Sequence, residues 1–406
     1  MTGNEIVDAA FRVWGRNFYR KTSLAQLACE LRVSKPALYR HFENKQALLD
    51  AMTERFYDDF ANSVKLDFQN ALQSENTSEN ANERISSIIK SISVFFARNV
   101  YALIFSLINL YDRNLDSKTI SSSLKARGAD MSVIQQIINK NHSVEPVVIK
   151  LIFTTLTFIM SHFHKTRKSI NNPPAENEVN KIISIICKTI EHGLGLSSEK
   201  ASIDFKNLEK QVDKMTPNSE TEPFFKAVAE AVAEAGPWDV SMDMVAKKIG
   251  LSKSSLYGHF KNRKDMLRRL FVTEFKRILE FARHGIGLSS DSEEQLYLGL
   301  YSITVYLRSR PEILIAMGWI RTRKLDLGKP EKNTEFFRLF EDIDIEPMRN
   351  STEDDRQRIS HWILFLLINI LGNHGGIDQI SAEKVQNNDV RVLYKFITQG
   401  LGGFIR

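Results

Sequence analysis

Two short stretches of this chain concentrate side chains suited to gripping a polyanion and reading its surface. In the first, Lys35, Pro36, Ala37, Tyr39, Arg40, His41 and Lys45 crowd together between Ser34 and Gln46. In the second, Lys253, Ser254, Ser255, Tyr257, His259 and Arg263 crowd together between Ser252 and Lys264. Arg and Lys donate to guanine O6 and N7, Ser donates or accepts, and Ala or Pro can meet a thymine methyl. Such groups reach a base edge only when a helix carries them into a groove. The flanking residues therefore decide what these clusters can do.

Leu24, Leu27, Ala28 and Leu31 stand at i, i+3, i+4 and i+7, which predicts one apolar face of a short helix. Ser23 is its N-cap, and Gln26 three residues on completes a capping box. Arg32-Val33 breaks the pattern, and Ser34 caps a second short helix that tolerates Pro36 in its first turn. Leu38 and Phe42 share the inner face of that helix. At about 100° per residue, Pro36 and Arg40 lie opposite Leu38, with Ala37 and Tyr39 on the flanks. This is a helix-turn-helix whose second helix fits the DNA major groove. Ahead of it, Val7, Ala10, Phe11, Trp14 and Phe18 form the stripe of a third helix, which completes a small core.

The pattern then recurs at an offset of 218 residues, without a gap across the motif. Ser23, Ala28, Ser34, Lys35, Leu38, Tyr39, His41, Phe42, Asn44 and Leu49 return as Ser241, Ala246, Ser252, Lys253, Leu256, Tyr257, His259, Phe260, Asn262 and Leu267. Met242, Val245, Ala246 and Ile249 restore the apolar face. Each copy supports the other.

The run SKPALYRHFENKQALL, above all Leu38-Tyr39-x-His41-Phe42-x-Asn44-Lys45, resembles the DNA-binding signature of TetR-type transcriptional regulators. The resemblance covers the two DNA-binding segments; elsewhere it is one of length and helical pattern. It implies Lys35, Pro36, Ala37 and Arg40 near base edges, with Tyr39, His41 and Lys45 near the phosphate backbone. The second-copy counterparts are Lys253, Ser254, Ser255, Tyr257, His259 and Arg263. A competing reading makes His41 and His259 packing residues under the helix. Each copy departs from the family pattern: the first has Arg32 where the turn usually carries Gly, as Gly250 does in the second. The second has Gly258 where the first has Arg40, which removes a side chain from the groove face.

A chain of 406 residues is long enough for several packed domains, and its net charge of +6 allows a polyanionic partner without proving one. Two cysteines, Cys29 and Cys187, argue against a disulfide scaffold and fit a reducing cytoplasm; Cys29 reads as a small core residue. The N-terminal segment carries Glu5, Asp8 and Arg12 in place of a secretory apolar core. The apolar run Val147 to Met160, interrupted by Lys150, reads as a buried helix too short to span a bilayer. The expected locale is cytoplasmic, with no membrane partner. No H-E-x-x-H, C-x-x-C, P-loop or G-x-S-x-G motif occurs, so neither a catalytic residue, a metal site nor a cofactor is expected.

The whole chain reads as all-α, two TetR-like repeats, each a three-helix DNA-binding domain followed by a helical ligand- or dimerisation-type domain. The expected limits are 1–52 and 53–196 for the first repeat, a polar linker over 197–221, then 222–271 and 272–406 for the second. Phe224 to Ala235 should form a helix stopped by Gly236-Pro237, and Thr334 to Phe340 another. The resemblance implies a small-molecule pocket in each second domain, for a hydrophobic or aromatic effector. Candidates to line it are Phe95, Phe96, Tyr101, Phe105 and Phe153, or Tyr297, Tyr301, Trp319 and Trp362, against the plainer reading of each as core. The resemblance also implies pairing through the last two long helices. The expected partner is double-stranded DNA with an imperfect palindromic operator, met by a monomeric pseudo-dimer or by a dimer of full chains. The rival reading is a ligand- or protein-binding module whose helix-turn-helix units no longer engage DNA.

Overall fold

The protein is described from a computed structural model that covers the chain apart from residues 1, 17–22, 74–77, 108–116, 140–145, 167–172, 197–202, 218–222, 323–334, 373–386 and 406. The described residues are helical and contain no strand. They separate into two compact units. One comprises 1–149, 155–191 and 404–406; the other comprises 150–154 and 192–403.

The first half of the chain supplies α1 (Gly3–Arg16), α2 (Leu24–Glu30), α3 (Lys35–Tyr39), α4 (Lys45–Gln73), α5 (Ser78–Arg98), α6 (Val100–Phe105), α7 (Ser117–Lys125), α8 (Ser132–Asn139), α9 (Pro146–Thr166) and α10 (Glu176–His192). On α1, Val7 and Ala10 are buried as the stripe requires; Phe18 and the Trp14 side chain lie outside the described residues. The long α4 runs without interruption from the helix-turn-helix into the following domain, where α5 packs along it. Phe56, Phe60, Phe95 and Phe96 form its aromatic core, with ring centroids 5.2–6.3 Å apart. On α9 the fully buried residues Val148, Leu151, Ile152, Leu156 and Met160 fall on one stripe, the pattern of a helix packed against protein. The apolar segment extends further than the sequence reading placed it. Val147–Lys165 is long and apolar enough to cross a bilayer by composition, yet less than half of that window, 44%, is buried inside the protein.

The second half supplies α11 (Phe205–Asp213), α12 (Pro223–Asp239), α13 (Met242–Lys248), α14 (Lys253–His259), α15 (Arg263–Ile286), α16 (Ser292–Ser309), α17 (Pro311–Thr322), α18 (Glu346–Arg349), α19 (Glu353–Leu371) and α20 (Asn387–Gln399). As expected of an interior helix, α19 buries Trp362, Ile363, Leu364, Leu366 and Leu367. Three readings are corrected. The stretch 197–221 is not simply a tether: it holds α11, whose Leu208 and Val212 are buried against α16. α12 continues to Asp239 through Gly236-Pro237, because a proline removes one amide donor without ending every neighbouring bond. Finally, Thr334 lies outside the described residues, and 335–340 forms only a short 3-10 turn, Glu335–Arg338.

A buried polar network explains why a polar segment became α11. Glu209, 5% exposed, accepts a bidentate pair from Arg391 of α20 at 2.8 and 2.7 Å. The Tyr297 hydroxyl donates to it at 2.5 Å and the Asn387 amide at 3.1 Å. Burial opposes the charge of Glu209, but the hydrogen bonds from Arg391 and Tyr297 outweigh it and hold its carboxyl below the usual range. A second buried carboxylate, Glu274 of α15, takes the Tyr306 hydroxyl at 2.9 Å and faces Arg277 and Arg310 at 3.2 and 3.4 Å.

Candidate nucleic-acid interface

The first helix-turn-helix is set by its caps. Ser23 Oγ accepts from the Gln26 amide at 3.2 Å while Gln26 Oε1 accepts from the Ser23 amide at 2.7 Å, the capping box expected from the sequence. The turn that follows is a Schellman closure. Val33 N donates to Ala28 O at 2.9 Å and Arg32 N to Cys29 O at 3.0 Å, with Arg32 left-handed at φ 54°. The second unit repeats each bond: Leu251 N to Ala246 O at 2.9 Å and Gly250 N to Lys247 O at 3.3 Å, with Gly250 at φ 69°. Ser34 and Ser252 then cap α3 and α14, accepting from Ala37 N at 3.4 Å and Ser255 N at 3.1 Å. Leu38 and Leu256, wholly buried, plug each helix into its core. That plug fixes which residues turn outward.

Outward stand Lys35, Pro36, Tyr39, Arg40 and His41, with Ala37 half-buried. On the second unit Lys253, Ser254, Ser255, Tyr257 and His259 are exposed. Tyr39 and Tyr257 are 51% and 48% exposed, unusual for a tyrosine without a large surface to meet. Lys45 and Arg263 are half-buried where α4 and α15 begin, and burial lowers the Lys45 pKa from its ordinary value. His41 and His259 are exposed and not buried beneath their helices, although the His259 ring lies 4.7 Å from Phe224. At Gly258 a Cβ would meet nothing within 4 Å, so the groove face there is open. Cys29 is exposed, which corrects the core reading: it falls just past the buried stripe of α2.

One role was missed. Asn44 and Asn262 cap the long helices, their Oδ1 atoms accepting from Ala47 N at 2.9 Å and Asp265 N at 3.0 Å. Their recurrence at the common offset was the available signal. The two units thus share their serine caps and turn closures in presenting a short exposed helix, though the return bond of Gln26 is lost in the second, where Met244 takes its place. The family model for bacterial regulatory proteins of the tetR family matches residues 6–52 and 225–270.

The chain carries two TetR-family DNA-binding domains in tandem.

Both TetR-family matches end within the first turns of the long helices, on α4 and α15, which lead on into the helical domains. In the first unit a cavity of about 350 Å³ opens where α1 meets α4, α5 and α6. Phe11, Phe56, Phe95 and Tyr101 supply its aromatic wall, and Asp8, Arg12 and Arg98 its charged rim. Of the effector-site candidates, Phe95 and Tyr101 line this cavity. Phe96 packs on Phe60 at 5.8 Å, Phe105 on Phe11 at 5.0 Å, and Phe153 is half-buried on α9. Tyr297, Tyr301 and Trp362 are packed into the second unit's core, the first two with hydroxyls on Glu209 and Asp213. Burial and the Asp213 carboxylate push the Tyr301 hydroxyl up to about 12. The Trp319 side chain lies outside the described residues. Among the described residues no three His, Cys, Asp or Glu side chains gather as metal ligands.

Proposed function

We propose that this chain is a sequence-specific transcriptional regulator, acting as a repressor, in which the two repeats of one polypeptide take the places of the two subunits of a homodimer. The observation that carries the reading is the pair of helix-turn-helix units, each holding an exposed basic and aromatic helix on a buried leucine. Lys35, Pro36, Ala37 and Arg40 meet base edges, while Tyr39, His41 and Lys45 meet phosphate. Lys253, Ser254 and Ser255 read the second half-site, with Tyr257, His259 and Arg263 on its backbone. The half-sites are about one DNA turn apart, ~34–36 Å, or a small multiple. Because the counterpart of Arg40 in the second repeat is Gly258, which offers no side chain, the operator is an imperfect palindrome with its stricter half under the first repeat. Selection from a random duplex pool tests this; enrichment of no motif overturns it. Solution mass and footprint then separate a monomer on two unequal half-sites from a dimer of full chains covering four.

The same reading includes an effector. An apolar or aromatic molecule in the cavity behind α1 would wedge the DNA-binding domain against α4 and α6, and the cavity's volume is in the range of small-ligand sites. To release DNA it must bind the DNA-incompetent state more tightly, by at least the shift it causes. Tyr101→Trp should fill part of the cavity and make operator release insensitive to the effector; unchanged release would exclude this cavity as the site.

A further inference from the structure

Aligning the repeats at their common offset exposes a charge inversion beside the recognition helix. Glu43, Gln46 and Asp50 in the first repeat correspond to Lys261, Lys264 and Arg268 in the second. In both repeats the three positions are solvent-exposed. Gln46 and Asp50 share the solvent face of α4, and Lys264 and Arg268 that of α15, opposite the buried Leu48 and Leu49 and the buried Met266, Leu267 and Leu270; Glu43 and Lys261 stand just ahead of those helices, beside their Asn caps. The stripe of α4 is anionic and closed on itself, since Gln46 Nε2 donates to Asp50 Oδ1 at 3.0 Å. That of α15 is cationic and held in place: Asp265 accepts from the Lys261 amide at 3.2 Å while Asn262 caps the helix, which fixes the segment carrying Lys261. Arg268 keeps 53% of its side chain in solvent and stands 3.9 Å from Asp265, an ion pair too long for a hydrogen bond. Over the matched stretches 34–52 and 252–270, three basic and two acidic residues oppose six basic and one acidic. The repeat with more positive charge is the one whose groove face has lost a side chain, at Gly258.

We propose that the repeats divide the work: the second is chiefly an electrostatic anchor that grips DNA phosphates through Lys261, Lys264 and Arg268 on any sequence, and the first is the stricter reader. The acidic stripe on the reader repels phosphate, so the first repeat engages only where base contacts compensate. This rests on the DNA-binding reading above. The observation fits the physics of charged binding, in which each phosphate neutralised adds about 0.9 to the salt slope regardless of sequence.

The test uses the full chain on a selected operator duplex and on a random duplex, from about 50 to 200 mM salt. One variant gives the second repeat the first repeat's stripe, Lys261→Glu, Lys264→Gln and Arg268→Asp. The other does the reverse, Glu43→Lys, Gln46→Lys and Asp50→Arg. All six positions are exposed, and helical content by circular dichroism checks that each variant folds. The first variant should lower the salt slope by about 2.7 and weaken both duplexes by the same factor, leaving their ratio unchanged. The reverse variant should raise the slope and erode the ratio by favouring random DNA. An unchanged slope in the first variant, or a loss confined to the operator, overturns the division of labour while leaving DNA binding intact. A wild-type chain that binds neither duplex overturns both readings.

Discussion

Arg32 and Gly250 occupy the same left-handed turn, at φ 54° and 69°, closed by the same pair of backbone bonds. One is glycine, which adopts that conformation freely; the other bears a Cβ that resists it. Eight residues on the imbalance reverses, with Arg40 in the first repeat and Gly258 in the second. The units therefore share their backbone closures and caps and differ in what those closures hold. The first keeps a strained turn and a full reading face. The second relaxes the turn and empties one position of the face. The recognition helices keep matching serine caps, Ser34 and Ser252, while their outer faces differ. A helix-turn-helix needs its caps, its closure and its leucine plug; its outer face answers to the ligand alone.

The largest expected effect concerns α11, which lies between the two matched domains. Arg391→Met would leave Glu209 buried without its guanidinium partner and should cost about 3 kcal/mol, the low end for a broken buried pair because Arg391 keeps some solvent. Urea denaturation of the full chain would measure it. Adding Glu209→Met should recover much of the loss, and failure to recover would mean α11 is held by its apolar contacts instead.

Exchanging the groove residues comes next. Arg40→Gly should cost about 1–3 kcal/mol of discrimination at the first half-site, and Gly258→Arg should sharpen the second. Binding to operators altered in one half at a time reads both. Equal losses on every sequence would make Arg40 a phosphate contact.

Smaller again is the turn itself. Arg32→Gly should stabilise the first repeat and Gly250→Ala destabilise the second, each by about 1 kcal/mol, seen as opposite shifts in thermal midpoint. Shifts of the same sign would show that the Arg32 side chain contributes more than its backbone loses.

Smallest is a pH effect. The folded Glu209 carboxyl lies below its unfolded value of about 4.3, so the unfolded chain takes up the proton first and acidification below that range destabilises the fold. Its stabilisation is fully present at neutral pH. Glu209→Gln should flatten the fall in stability as the pH drops below about 4.3. An unaltered profile would place the acid sensitivity elsewhere.

Local chemistry made the helix-turn-helix legible. Ser23 with Gln26, Ser34 and Leu38 act within four residues of themselves, so spacing alone predicts their bonds. The helix α9 was equally plain, since the apolar run from Val147 to Met160 marks it in the sequence. What failed depended on distance or on cancellation. Glu209 reads as a solvated charge until Arg391, 182 residues away, is folded against it. Pro237 suggests a helix end, yet α12 runs past it. Among the aromatics, only packing separates Phe95 and Tyr101, which border a cavity, from Phe105 and Tyr297, which fill the core.

The non-identity of Arg40 and Gly258 has a consequence for heredity. In an assembly of identical chains, any codon change is displayed twice, and both halves of the target must change together to follow it. Here each recognition helix has its own codons within one gene. In the proposed pseudo-dimer, a single nucleotide change alters one half and leaves the other as a fixed reference, so the target can drift by halves and need not return to symmetry.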